Sequence, residues 1–207
     1  MKRRKTRRGE SLVAASHVLA LLFLLAFATG PIAADDRNGN VPPAVFDCWG
    51  PEMDIKQCAT SGPDGRPRLT SSYLSRLQFE PDGLARILLY SAGQKKGQWY
   101  YTRQGRPLVP VETYDDGADD FVDGRARSPV GGKVGYINRN LDLVIPAIYD
   151  GAYPFEKGVA VVCRECKLVS DGSHRWYEGG EWGTIDPRGG VVTPFMPWEA
   201  WLKDHRR

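Results

Sequence analysis

The sequence predicts an all-β fold: an array of short antiparallel β-hairpin or three-stranded repeats, open and solenoid- or propeller-like, ending in a short C-terminal helix. Nearly the same phrase begins at Gly97, at Gly132, 35 residues later, and at Gly180, a further 48 residues on. A period of this length is typical of units that cannot bury their apolar face alone. The segments within each phrase are short, rich in Val, Ile, Tyr and Trp, and separated by Gly, Pro, Asn and Asp. This pattern indicates strands joined by turns.

The first 34 residues have the composition of a secretory signal peptide. Six basic residues precede an apolar run over residues 12–28, and small residues follow at Ala33 and Ala34. We expect cleavage after Ala34 or one residue earlier. The alternative is an uncleaved inner-membrane anchor through residues 12–29, with the basic head in the cytoplasm. Residues 35–44, which begin DDRNGNVPP, are expected to form a linker.

The charge balance argues against nucleic acid as a partner. Removing the leader's six basic residues and one acidic residue from totals of 28 and 25 leaves 22 and 24, a net charge of −2. The basic character of the whole chain therefore comes from its leader. A membrane is expected as a partner only if the leader stays uncleaved. The part that follows the leader has a length that suits one domain.

Four cysteines follow the leader, an even number in a chain expected to be exported, which favours disulfides. Cys48 and Cys58 are close in sequence, and Cys163 and Cys166 form a CxxC motif. We expect the pairs Cys48–Cys58 and Cys163–Cys166, although four cysteines allow three connectivities.

Residues 45–96 are expected to form an N-terminal segment that holds a degenerate copy of the repeat. The stretch DGRPRLTSSYLSRLQFEPDGLARI follows the same order as QGRPLVPVETYDDGADDFVDGRAR. The landmarks include Tyr73, Phe79, Gly83 and Ala85, with one extra residue before Gly83. We therefore expect a fourth, damaged unit ahead of the three clear ones.

The clear repeats span residues 97–195. Each begins with Gly, a variable residue and a large apolar residue, and a polar turn follows the first strand. In the second copy this turn is Arg139-Asn140, where asparagine can take a positive φ; Gly105 and Gly189 are expected to do the same in the other copies. The second apolar stretch carries a proline, which marks a strand end or a sheet edge because proline cannot donate a ladder hydrogen bond. The first two copies close on Phe-x-x-Gly-x-Ala, and GVAVV at residues 158–162 predicts a third strand.

Two further segments complete the organisation. The insertion CRECKLVSDGSHRWYEGG lengthens the step to the last copy and contains a Ser-Asp-Gly turn signal. Residues 196–207 predict a capping helix on which Trp198, Trp201 and Leu202 share one face. We expect that face to cover the open end of the array.

The stretch VIPAIYDGAYPFEKGVAVV at residues 144–162, together with the pair Trp182-Gly183, resembles the WG-repeat (WG-containing repeat) family. The resemblance covers roughly residues 65–195. Val134 stands in place of the tryptophan in the second copy, and Tyr100 in place of the glycine in the first. The resemblance implies an antiparallel β-repeat module with a binding or scaffolding role, and it brings no catalytic residues.

The sequence favours neither an enzyme nor a cofactor or metal site. The CREC motif is expected between two strands, which favours a structural disulfide over a redox pair. A zinc site at Cys163, Cys166 and His174 would need a fourth ligand. The acidic run DDGADDFVDG does not have the spacing of an EF-hand calcium loop.

Aromatic side chains are the stronger candidates for a binding role. Neighbouring aromatics in a strand point to opposite faces, so one ring of each pair is expected to be exposed. The candidate binding residues are Trp99, Tyr101, Trp176, Tyr177 and Trp182.

Together these observations predict a periplasmic or secreted, non-enzymatic binding or scaffold protein of the bacterial cell envelope, with an envelope protein or glycan as its partner. One alternative is a cell-wall carbohydrate-binding module, because GQWYYTRQGRPL is similar to the aromatic hairpins of cell-wall-binding repeats. A second alternative is an envelope hydrolase whose site is assembled from scattered residues.

Overall fold

The computed structural model describes residues 43–49, 55–91, 94, 96–104 and 106–205. The predicted signal peptide, most of the predicted linker and Gly105 lie outside the described residues. The described chain is mostly β-structure, as the sequence predicts, and contains two helices. Neither of these helices is long and apolar enough to cross a membrane.

The N-terminal segment and the first clear repeat contain nine strands and one helix among the described residues. The N-terminal segment contains β1 (Val45–Trp49), β2 (Ile55–Ser61), β3 (Pro67–Leu69), α1 (Ser71–Leu74) and β4 (Leu84–Ser91). The first clear repeat contains β5 (Gln98–Arg103), β6 (Val109–Val111), β7 (Thr113–Tyr114), β8 (Gly117–Ala118) and β9 (Ala126–Val130). The one-turn helix α1 is an element that the sequence analysis did not predict.

The second repeat contains β10 (Lys133–Ile137), β11 (Leu143–Tyr149), β12 (Gly151–Ala152) and β13 (Ala160–Arg164). The insertion forms a hairpin of β14 (Lys167–Ser170) and β15 (Arg175–Glu178). The last repeat contains β16 (Glu181–Ile185) and β17 (Val191–Pro197), and α2 (Trp198–His205) follows it directly.

Each sheet is shared between successive repeats. The third strand of one unit pairs antiparallel with the first strand of the next, which in turn pairs with its own second strand. This rule gives the runs β4-β5-β6, β9-β10-β11 and β13-β16-β17. Strands β3, β2 and β1 extend the first run to six strands, and β12 extends the third to four. No repeat is therefore a self-contained sheet, in agreement with units that need their neighbours.

The pairing register repeats as well. The alanine of the Phe-x-x-Gly-x-Ala motif pairs with the first strand of the following repeat. In all three sheets its partner is the residue at the same position of that strand. The pairs are Ala85 with Thr102, Ala126 with Ile137 and Ala160 with Ile185, and all six residues are buried. The degenerate copy thus supplies a true third strand in β4.

A glycine in the first strand permits a close approach of the second. A Cβ atom at Gly135 would lie 2.5 Å from the carbonyl oxygen of Ile145 and 2.7 Å from the amide nitrogen of Ala147. A Cβ atom at Gly183 would lie 2.8 Å from the carbonyl oxygen of Thr193. The strand pairing shifts register beside both glycines. This is the physical reason for the glycine of the aromatic-Gly pair: the partner strand occupies the space of its side chain.

The second strands lie at the sheet edges. Strands β6, β11 and β17 each end their sheet, and each contains a proline: Pro110, Pro146 and Pro194. The sequence predicts that these prolines mark a strand end or a sheet edge, and in the structure they lie in edge strands. Proline removes a donor from the open side and hinders the addition of a further strand.

In the first two clear repeats a buried tyrosine links the first strand to the Phe-x-x-Gly segment of the same unit. The Tyr101 hydroxyl donates to the carbonyl of Asp119 at 3.1 Å, and the Tyr136 hydroxyl donates to the carbonyl of Tyr153 at 2.8 Å. Their rings contact Phe121 and Phe155, with centroids 5.1 and 4.9 Å apart. The repeated phrase therefore encodes a repeated core contact.

The turn between first and second strands differs from the expectation. The positive φ of the second repeat belongs to Leu141, at 66°, and not to Asn140. The Asn138 side chain accepts hydrogen bonds from the amides of Asn140 and Asp142, which places Leu141 inward, where it is buried. Gly189, at φ 86°, has the equivalent position in the last repeat, as expected.

Hydrogen bonds also connect the first clear repeat to the turns of the second and third repeats. The Arg103 guanidinium donates to the carbonyl of Arg139 at 3.0 Å, and the Arg125 guanidinium donates to the carbonyl of Pro187 at 2.8 Å. The first-to-second-strand turns of the second and third repeats thus contact the first repeat.

Two disulfides and the C-terminal helix provide further links within the fold. Cys48 pairs with Cys58 between β1 and β2, and Cys163 pairs with Cys166 at the base of the insertion hairpin. These are the two pairings that the sequence analysis preferred. On α2, Trp201 is buried and Trp198 lies with its ring centroid 4.6 Å from that of Trp182, so the helix covers β16 and β17.

Candidate functional site

A groove of about 510 Å³ lies where the first clear repeat meets the second. The first repeat lines it with Tyr114, Asp119, Asp120 and Val122. The second repeat lines it with Tyr153, Pro154, Phe155 and Glu156. Residues 119–122 and 153–156 occupy equivalent positions at the start of the two Phe-x-x-Gly hairpins. The groove therefore lies between corresponding segments of two successive repeats.

Tyr114 reaches the groove because of a local break in the second strand. In the second repeat β11 runs unbroken to Tyr149, and that ring is buried. In the first repeat the strand is interrupted after Val111, and the turn between β7 and β8 holds Asp115 and Asp116 at φ 43° and 63°. Asp and Asn tolerate this left-handed region better than most residues. Tyr114, the counterpart of Tyr149, is therefore 52% exposed.

A buried ion pair supports the first repeat's side of the groove. The Arg127 guanidinium donates to Asp119 Oδ1 at 2.6 Å and to Asp119 Oδ2 at 3.1 Å, and it also donates to the carbonyl of Ala152 at 3.1 Å. Burial acts to lower the pKa of Arg127, but the hydrogen bond and charge of Asp119 outweigh it and raise that pKa. The guanidinium therefore stays charged and holds residues 119 and 152, from successive repeats, together.

The outer part of the groove is acidic and exposed to solvent. The side chains of Asp120 and Glu156 are 76% and 79% exposed. Arg86 lies 3.5 Å from Asp120 but only 2.8 Å from Glu80, so its charge is shared between two carboxylates. Glu156 pairs with Lys157 at 3.1 Å on the open surface. Exposed pairs of this kind are weak, so both groove carboxylates remain accessible to a ligand.

The groove adjoins the insertion hairpin through Tyr153. The Tyr153 ring meets the Tyr177 ring edge-on, with centroids 6.0 Å apart, and lies 6.2 Å from that of Trp182. Burial raises the pKa of Tyr177. A ligand in the groove would thus lie beside a packed aromatic cluster that continues towards α2.

The structure distributes the five predicted aromatic residues unevenly. Tyr101 and Trp182 are in the core, where their rings offer no free face to a ligand. Trp99 is partly buried against the first repeat's core, and Trp176, on the insertion hairpin, donates its indole N–H to Glu178 at 2.6 Å. Tyr177 contacts the groove residue Tyr153. A binding role for these five residues stays a prediction, and none of the five lines the groove itself.

Sequence reasoning missed Tyr114 and Tyr153. Tyr114 aligns with the buried Tyr149, so the repeat pattern predicts a core residue there. The signal that could have identified it is the acidic turn Asp115-Asp116, which is absent from the corresponding place in the second copy.

The residues weighed as metal ligands do not converge in the part of the chain that the structure covers. Within that part no group of three or more His, Cys, Asp and Glu side chains could hold a metal ion. Cys163 and Cys166 are joined in their disulfide between β13 and β14, and His174 hydrogen-bonds to Asp171 at the tip of the hairpin.

Comparisons with known proteins agree with the repeat. The family model described as WG containing repeat matches residues 135–165, which run from β10 through β13. This match confirms the resemblance to the WG-repeat family on the second repeat. No curated protein and no solved structure matches the chain.

Proposed function

We propose that this chain, a WG-repeat protein by its second repeat, is a non-enzymatic binding or scaffold protein exported to the bacterial cell envelope. The groove between the first and second clear repeats is its binding site, and an envelope protein or glycan is its partner. The observation that carries the proposal is the exposed Tyr114 beside accessible carboxylates in a preformed groove of about 510 Å³. That volume falls within the roughly 300–1,000 Å³ usual for ligand sites.

The engagement of the groove's polar groups supports binding over catalysis. Asp119 accepts from the Arg127 guanidinium through both oxygens and from the Arg127 amide at 2.7 Å, so this carboxylate is occupied in holding the structure. Asp120 and Glu156 are surrounded mainly by solvent. Catalytic acids and bases usually lie in desolvated surroundings, whereas these two side chains are exposed, as groups that bind a ligand at a surface are.

Export is supported by the leader's composition and by the two disulfides, which persist in oxidising compartments. The prolines in β6, β11 and β17 hinder strand addition at the sheet edges. A partner is therefore expected to dock through side chains in the groove and not by extending a sheet.

A paired pull-down tests the proposal. The protein is incubated with purified peptidoglycan and, separately, with detergent-solubilised envelope membranes, and the bound fraction is measured. Tyr114→Ala is compared with Trp49→Ala, a matched control because Trp49 is 53% exposed on β1 and does not line the groove. We expect retention by one of the two materials that falls several-fold in Tyr114→Ala and not in Trp49→Ala. If the wild-type protein, Tyr114→Ala and Trp49→Ala are retained equally, or if none of them is retained, the groove is excluded as the binding site.

A carbohydrate-binding module remains the second candidate, favoured by the partly exposed Trp176 on the insertion hairpin. Retention on peptidoglycan that depends on Trp176 and not on Tyr114 would support this second function.

A further inference from the structure

We infer that the occupant of the groove is a positively charged peptide segment that places a lysine or arginine side chain between Tyr114 and Tyr153. The inference rests on the proposed function and specifies the partner's chemistry. Three features of the groove carry it: the sign of its charge, the exposed faces of its tyrosines and the apolar residues between them.

The charge of the lining is one-sided. Three of the eight lining side chains are carboxylates and none is basic. Asp119 is neutralised by Arg127. Asp120 and Glu156 have only weak, exposed pairs with Arg86 and Lys157, so both remain accessible to a ligand. Asp115 and Asp116, in the turn that follows Tyr114, add negative charge nearby in the chain. A neutral ligand can only donate hydrogen bonds to these carboxylates, whereas a cationic side chain also pairs with their charge.

The rings suit a cation. Tyr114 and Tyr153 are 52% and 36% exposed. The protein's own Arg127 already lies over the Tyr114 ring, 5.7 Å from its centroid, and Arg139 lies over the Phe121 ring at 5.1 Å. This part of the fold therefore places guanidinium groups against aromatic faces, and the exposed part of each tyrosine offers the same interaction to a partner.

The residues that line the groove beside the two tyrosines can contact the aliphatic part of a lysine or arginine side chain. Val122, Pro154 and Phe155 supply the apolar part of the lining, and Val122 is partly exposed. A lysine or arginine side chain buries its methylene groups on such a surface while its charged end reaches the carboxylates. A sugar ring also stacks on tyrosine, but a neutral sugar has no positive charge to pair with Asp120 and Glu156.

Fluorescence anisotropy with defined probes tests the inference. The probe is a fluorescein-labelled ten-residue peptide that alternates serine and lysine, and its partner probe carries acetyl-lysine at the same positions. We expect the lysine peptide to bind and the acetylated peptide to bind at least about ten-fold more weakly. The double variant Asp120→Asn/Glu156→Gln should weaken the lysine peptide about five-fold, from two exposed charge contacts. Tyr114→Ala should weaken it about three-fold.

A matched double variant separates a local site from general electrostatics. Glu165→Gln/Asp204→Asn removes the same charge from two exposed positions outside the groove, and we expect less than a two-fold change. Circular dichroism verifies that each variant is folded. An equal effect of the two double variants, or equal binding of the acetylated peptide, overturns the inference.

A neutral glycan probe distinguishes the failure of the inference from the failure of the function. If chitohexaose binds in a Tyr114-dependent manner and the lysine peptide does not, the groove is a binding site and its occupant is not a cationic peptide. If neither probe binds and the pull-down shows no dependence on Tyr114, both the inference and the proposed function are wrong.

Discussion

Replacing Gly135 by alanine should destabilise the protein although it adds only one methyl group. Gly135 faces β11 at the point where the pairing shifts register. The new Cβ would lie 2.5 Å from the Ile145 carbonyl oxygen, 2.7 Å from the Ala147 amide nitrogen and 2.9 Å from Ala147 Cα. All three atoms are backbone, so no side chain can rotate away, and β10 and β11 must separate.

The expected cost follows from two opposing terms. Overpacking of this kind costs about 1–3 kcal/mol, and sometimes more. Alanine in place of glycine also restricts the unfolded chain, which returns about 0.4–1 kcal/mol. The midpoints of these two ranges leave a net fall in the free energy of unfolding of about 1.3 kcal/mol. For a chain of this size that corresponds to a fall in Tm of roughly 3–5 °C.

Urea unfolding followed by tryptophan fluorescence measures the change. Gly117→Ala is the control, because a Cβ there meets its nearest atom, the Tyr114 carbonyl oxygen, at an ordinary 3.6 Å. We expect the control to change stability by less than about 0.5 kcal/mol. If Gly135→Ala costs no more than Gly117→Ala, the close approach of β11 is not the reason for the glycine.

Three further predictions concern the core. Tyr136→Phe removes the hydrogen bond to the Tyr153 carbonyl and should lower the free energy of unfolding by about 1 kcal/mol in urea, with an unchanged value counting against that bond. Asp119→Asn leaves the buried Arg127 without its counter-charge and should cost about 3 kcal/mol in thermal melts, and a loss below 1 kcal/mol would show that solvent reaches the guanidinium. Burial raises the pKa of Tyr101 to about 12 and raises that of Tyr136 as well. Because folding favours the neutral phenols, their stabilisation is complete below the unfolded pKa of about 10 and is lost as pH rises through the folded pKa. The free energy of unfolding should therefore be lower at pH 11 than at pH 9, and equal values would contradict the burial of these hydroxyls.

The strands could be predicted because their signals are local. Alternating apolar residues, turn residues and the repeated phrase locate β10, β11 and β13 without knowledge of their partners. The sharing of sheets between repeats could not be predicted, since pairing such as Ala126 with Ile137 depends on contacts between units. The positive φ at Leu141 escaped prediction for a related reason: the Asn138 side chain and the burial of Leu141 together override the preference for asparagine.

The candidate site was less predictable than the fold. The sequence predicts that one of the neighbours Tyr100 and Tyr101 is exposed, but both sides of this strand are covered. Tyr101 is buried, and Tyr100 is partly buried against the core of the N-terminal segment. Tyr114 and Tyr149 have the same place in the repeat and opposite exposure, because two aspartates turn the chain after Tyr114. A groove at a repeat boundary depends on such departures from the repeat, which the shared pattern conceals.

Site-specific photo-crosslinking in living cells tests the central claim most directly, namely that the boundary groove holds the partner. A photoreactive phenylalanine is placed at Tyr114 and, as the control, at Val191, which is 55% exposed on β17 and does not line the groove. We predict an adduct with an envelope component from position 114 that is absent from position 191 and is reduced by Asp120→Asn/Glu156→Gln. The same adducts from both positions, or none from position 114, would contradict the account.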